Sequence, residues 1–231
     1  MFSQHFHPGQ QGGRSQARKK GQGVTPSVPS SRALRLLDWM LAMVLLIALA
    51  PLLLVLAIAV TAQDGRAPLF AHRRYGCGGR TFLCYKFRTM AADADARLTR
   101  LLATDPAARA EWARDHKLRV DPRVTPLGRF MRKTSLDELP QLINVLRGEM
   151  SLVGPRPIVA AEVARYGRRF RAYCSVRPGI TGIWQISGRN DTGYRRRVAM
   201  DSLLARRLTP RLYAEVLIGT ARSVLTGKGA Y

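Results

Sequence analysis

The strongest pattern in this chain is an unbroken apolar run from Trp39 to Val60, WMLAMVLLIALAPLLLVLAIAV, with no charged side chain in it. As a helix it extends roughly 33 Å, enough to cross the hydrocarbon layer of a membrane. Pro51 sits in its middle, where it removes a backbone donor and crowds the carbonyl of Ile47, so the pattern predicts a bend there. Basic residues flank both ends: Arg32 and Arg35 before it, Arg66, Arg73, Arg74 and Arg80 after it. A spanning helix would strand one of these clusters outside, against the positive-inside tendency, whereas a helix that enters and returns satisfies both. The pattern alone leaves spanning and re-entry open.

Outside that run the pattern shortens. Residues 1–31 are rich in Gly, Gln, Ser and Pro with few aliphatic side chains, and are expected to be a disordered basic tail. Short β-prone pieces at Pro68–Phe70 and Thr81–Phe87, around a turn at Gly76–Arg80, predict a hairpin. Lys86 and Arg88 alternate with Tyr85 and Phe87, which would set both cations on one strand face. Residues 93–118 have the spacing of one or two surface helices broken at Pro106, and Val159–Tyr173 reads as one basic amphipathic helix. Most of Tyr194–Tyr231 reads as a further helix. The fold class expected is α+β: a mainly helical catalytic domain with a small β-hairpin, over residues 67–231, following a membrane-associated segment at residues 32–66.

Composition narrows the partners. The 231 residues carry 38 Lys and Arg against 15 Asp and Glu, a formal charge of +23. Such an excess suits nucleic acid, an anionic membrane surface or phosphorylated substrates. Arg outnumbers Lys, which favours two-pronged phosphate contacts. Cys77, Cys84 and Cys174 form no CxxC pair and read as small apolar residues, not as disulfides or metal ligands.

Candidate chemistry concentrates between Asp121 and Pro157, where the adjacent carboxylates Asp137 and Glu138 lie among Arg123, Arg129, Arg132, Lys133, Arg147 and Arg156. One reading is a capping box in which Ser135 is the cap and Glu138 reaches back to its amide. The other is a phosphate-handling site: carboxylates at a helix N-terminus stay charged, as a nucleophile or metal ligand requires, and Mg²⁺ or the arginines would relieve their repulsion. A glycosidase pair fits poorly, because neighbouring residues seldom oppose each other across a sugar. A second candidate is the glycine-rich stretch VRPGITGIWQISGRN, bracketed by Arg177 and Arg189.

Three segments, YKFRTM at 85–90, DPRVTPLGRFMRKTSLDELPQLINVLRGEMSLVGPRP at 121–157 and RPGITGIWQISGRN at 177–190, resemble the signature blocks of bacterial sugar transferases. These are polyprenyl-phosphate hexose-1-phosphate transferases, and the closing GKGAY is most similar to the short members that start exopolysaccharide with galactose or glucose. The resemblance runs from about Arg32 to the C-terminus. It implies a monotopic enzyme on a re-entrant helix hairpin broken at Pro51, in the bacterial inner membrane with its catalytic domain facing the cytoplasm. It implies a ping-pong reaction in which Asp137 attacks the β-phosphate of a UDP-hexose, UMP leaves, and the sugar phosphate passes to undecaprenyl phosphate. Glu138 is the dyad partner, Asp137 and Glu138 face Mg²⁺, and Lys86, Arg88, Arg156, Arg177 and Arg189 are the expected substrate contacts. The implied partners are the two substrates and the lipid bilayer, without nucleic acid, and homodimerisation is left open. Many members have Ser-Pro at the helix break, where this chain has Ala50-Pro51. The competing class is a non-catalytic, membrane-anchored adaptor for acidic polymers, for which Asp137 and Glu138 would have no task.

Overall fold

The computed structural model describes residues 32–115, 118–187 and 193–226. The tail expected at residues 1–31 lies outside them. Helix α1 (Arg32–Ala62) is a single element that runs through Pro51, and only 11% of its most apolar window is buried. Leu36, Trp39, Met40, Val44, Ile47, Leu54, Val55 and Ile58 are among the large apolar side chains it leaves exposed. So long an apolar surface is unusual on a water-exposed monomer, and α1 has the length and composition to enter a membrane.

Both ends of α1 are seated on the rest of the protein. Near its start, Arg35 donates to the carbonyls of Val145 (2.6 Å), Leu146 and Met150. One turn later the buried carboxylate of Asp38 accepts from Ser151 Oγ, Leu152 N and Tyr213 Oη. Near its end, Leu56 and Val60 are buried in a cluster with Phe87 and Met131.

The expected hairpin is present as antiparallel strands β1 (Leu69–Tyr75) and β2 (Thr81–Phe87), with Phe70 opposite Lys86. Its first strand reaches further than the apolar residues alone indicate, because the ladder continues through His72, Arg73 and Arg74 to Tyr75. Helices α2 (Ala94–Thr104) and α3 (Pro106–Asp115) divide at Pro106 as the sequence predicts. Next come α4 (Pro126–Thr134), a 3₁₀ turn at Leu136–Glu138, α5 (Gln141–Leu146) and strand β3 (Ser151–Val153).

The single helix expected over Val159–Tyr173 is instead α6 (Ala160–Tyr166), a 3₁₀ turn and α7 (Phe170–Tyr173). The break falls at Gly167, whose φ of 48° leaves the helical region at little cost only for glycine. Strand β4 (Gly179–Thr181) then pairs in parallel with β3, a second small sheet that the sequence pattern did not reveal. The two strands approach so closely that a Cβ on Gly179 would lie 2.0 Å from the Gly154 nitrogen. Helix α8 (Ile183–Ile186) follows, and the last segment is two helices, α9 (Tyr194–Arg207) and α10 (Pro210–Thr226), not one. Pro210 starts α10 because it needs no N–H partner in a first turn.

The main core joins α1, α5, β3, α9 and α10 through Ala42, Leu142, Val145, Met150, Val153, Leu204, Tyr213 and Val216. All three cysteines are free thiols; Cys84 and Cys174 are buried as expected, whereas Cys77, in the turn of the hairpin, is only half-buried.

Candidate active site

Asn144 fixes the site. Fully buried on α5, its side chain accepts from Tyr85 N (3.0 Å) and donates to Leu83 O (2.7 Å), so α5 is riveted to the backbone of β2. The turn that precedes α5 is thereby set against the strand, and Lys86 Nζ reaches Glu138 Oε1 at 2.5 Å.

Ser135 closes α4 in a left-handed conformation (φ 59°), turning the chain sharply into the Leu136–Glu138 3₁₀ turn. Its side chain makes no cap bond, so the capping-box reading does not hold. Nor does α5 begin beside the dyad: it starts at Gln141, after Pro140, because proline cannot donate within a continuing helix. The carboxylates therefore occupy a tight turn of their own, where Asp137 is 8% exposed. Burial first, and the neighbouring Glu138 charge second, push its pKa up to about 6, against the opposing pull of Lys86 and Arg132. At neutral pH Asp137 is ionised yet poorly solvated, the condition of an activated oxygen nucleophile.

A cleft opens beside this turn, lined by Arg74, Lys86, Glu138, Gln141, Arg156 and Gln185 together with Cys84, Pro157, Gly179 and Ile180. Three cations on its wall suit an anion. Arg156 comes from the turn between β3 and α6, and its guanidinium carbon lies 5.6 Å from the centre of the Trp184 ring. Arg197 of α9 packs over the same ring at 4.5 Å. Beneath them Tyr166 Oη donates to Asp201 (2.6 Å), a 1%-exposed carboxylate that burial pushes up to about 6.

Of the residues singled out from the sequence, the structure brings Lys86, Asp137, Glu138 and Arg156 together. It does not bring Arg88 or Arg177 to the cleft lining. Strand β2 ends at Phe87, and Arg88 binds Asp64 and the Ala67 carbonyl just beyond α1. Arg177 donates to Gly148 O at 2.8 Å. Arg189 lies outside the described residues. Arg74, Gln141 and Gln185 were missed: Arg74 had been read only as part of a basic flank, and neutral amides give no charge signal at all.

No group of three or more His, Cys, Asp or Glu placed to hold a metal occurs among the described residues. Mg²⁺ commonly binds through one or two carboxylates plus substrate phosphate oxygens, and Asp137 with Glu138 could supply that protein share.

The chain belongs to the bacterial sugar transferase family, whose model matches residues 30–227. It is 50% identical over 203 residues, 87% of this chain, to an undecaprenyl-phosphate galactose phosphotransferase of Salmonella typhimurium, covering 42% of that protein. It is 45% identical to the exopolysaccharide production protein ExoY of Sinorhizobium fredii, over 85% of this chain and 87% of the relative. A UDP-glucose:undecaprenyl-phosphate glucose-1-phosphate transferase of Caulobacter vibrioides is 37% identical, with 90% of this chain and 76% of that protein covered. The chain thus spans about two fifths of the Salmonella protein and most of the other two.

Proposed function

We propose that this protein transfers a hexose-1-phosphate from a UDP-hexose to undecaprenyl phosphate, releasing UMP, as the first membrane step of exopolysaccharide assembly. The observation that carries this reading is the buried, high-pKa Asp137 beside a cleft walled by Lys86, Arg74 and Arg156. In the first half-reaction a carboxylate oxygen of Asp137 attacks the β-phosphorus, and the bond to the UMP oxygen breaks with its electrons. In the second, an oxygen of undecaprenyl phosphate attacks the same phosphorus and frees the carboxylate. Glu138, held by Lys86, orients the turn, while the arginines neutralise charge that builds on the phosphoryl oxygens. Bound Mg²⁺, held by Asp137 and Glu138, would screen the diphosphate.

The membrane reading follows from α1. Contacts of α1 with the rest of the protein near both ends, at Asp38 and at Val60, support a reading in which both ends stay on one side of the bilayer. Re-entry near Pro51 from a single face therefore fits best, with the basic surface toward the cytoplasm at the inner membrane.

The test is half of the reaction. Enzyme and UDP-hexose without lipid should release about one UMP per site and retain labelled sugar phosphate on the protein, as a covalent nucleophile requires. Asp137→Asn should abolish both signals. No UMP before lipid is added, with intersecting initial-rate plots, would demote Asp137 to a metal ligand. No transfer by the unmodified protein, with binding of acidic polymer unchanged in Asp137→Asn, would favour the adaptor class.

A further inference from the structure

The cations of the cleft account for the phosphates of a donor, but two of its lining residues are neutral amides. Gln141 opens α5 directly behind the dyad and is 2% exposed. Among the described residues its side chain has no hydrogen-bond partner. Gln185, on α8, donates from Nε2 to the Ile180 carbonyl at 3.2 Å, yet its Oε1 is buried with nothing to accept from. Native proteins rarely leave buried amides unsatisfied, because each lost partner costs the full desolvation of the group. One orphaned oxygen, on Gln185, with the unbonded amide of Gln141 bordering the same cleft, points to a missing ligand.

The chemistry of that ligand follows from the amide. A carboxamide offers one acceptor and two donors and no charge, so it is a poor holder of phosphate beside three cations. It is well matched to a group that presents donors and acceptors together. We infer that Gln141 and Gln185 form a neutral hydrogen-bonding edge of this cleft that reads the uncharged part of the donor beside its cation-held diphosphate. Both a sugar hydroxyl and the imide edge of a pyrimidine base have this chemistry. The inference rests on the proposed function, since it takes a nucleotide sugar as the ligand.

The test uses the full chain in lipid nanodiscs, with Gln141→Met, Gln185→Met and Gln185→Glu. The methionines keep length and remove every polar bond. The glutamate keeps an acceptor at Oε1 but loses the Nε2 donation to Ile180. KM for UDP-hexose should rise about tenfold in each methionine variant, with a smaller fall in kcat, as expected when a hydrogen bond made in both ground and transition states is lost. Gln185→Glu should retain most of the affinity. Calorimetric titration with UMP separates the sources: affinity falling in step with KM assigns the base, and unchanged UMP affinity assigns the sugar hydroxyls. Unchanged KM and UMP affinity in both methionine variants would overturn the inference. So would Gln185→Glu losing as much as Gln185→Met, which would make the Ile180 bond the whole role. Failure of the functional reading looks different: the unmodified protein would neither release UMP nor bind it.

Discussion

Tyr213 and Asp38 are 175 residues apart in the chain, and the Tyr213 hydroxyl donates to Asp38 Oδ1 at 2.6 Å. This bond ties the last described helix to the first, and Ser151 Oγ and Leu152 N complete a three-donor cage around the carboxylate. Helix α1 is therefore part of the fold and not only an apolar appendage. Asp38→Ala leaves three buried donors without an acceptor and should cost about 3 kcal/mol, whereas Tyr213→Phe removes one bond and should cost about 1 kcal/mol. Thermal melting in detergent should rank them in that order. Equal, small losses would mean that apolar packing alone seats α1.

The same seating predicts topology. Cysteines placed at Ser15 and at the exposed Ala214 of α10, in a background without the half-buried Cys77, should both resist an impermeant thiol reagent in intact cells. The buried Cys84 and Cys174 should not react. Labelling at Ser15 alone would restore a spanning α1.

Arg156 and Arg88 separate recognition from architecture. Arg156 lines the cleft over Trp184 and has no ion pair among the described residues, while Arg88 is held by Asp64 and by carbonyls near the end of α1. Arg156→Lys keeps charge but loses the planar fork, and should lower kcat/KM by about tenfold or more with little change in melting temperature. Arg88→Lys should do the reverse, lowering the melting temperature more than kcat/KM. A large fall in kcat/KM at unchanged stability in Arg88→Lys would place its guanidinium on substrate.

What could be read from the sequence was local. The apolar run, the hairpin and the Pro106 break each declare themselves within a few residues. The dyad declares itself by charge set among fixed backbone positions. What could not be read depends on partners distant in the chain or on elements too short to show a period. Strands β3 and β4 have three residues each and pair across the α6–α7 connection. Asp38 stands one residue before the apolar run and looks like its polar edge, and only Tyr213 and Ser151 reveal it as core. Lys86 and Arg88 alternate as a strand should, but the strand stops between them. That stop sends one to Glu138 and the other to Asp64.

The burial of Asp137 gives the last prediction its sign. Its folded-state pKa, about 6, is above the ordinary carboxylate value of 3.8, so the folded protein binds this proton more tightly than the unfolded chain does. Stability from this group is full below 3.8 and is lost as pH rises through about 6, because ionised Asp137 is a buried charge beside Glu138. Asp137→Asn removes that charge at neutral pH. The variant should melt higher than the unmodified protein at pH 8, by roughly 3–8 °C for a chain of this size, with the difference shrinking toward pH 4. Asp201, also raised to about 6, is present in both proteins and cancels in the comparison. Activity should move the opposite way, with kcat/KM falling below about pH 6 as the nucleophile protonates. An Asp137→Asn protein that is inactive and less stable at pH 8 would show that the carboxylate holds the turn together, and the assignment of Asp137 as a strained, activated nucleophile would fail.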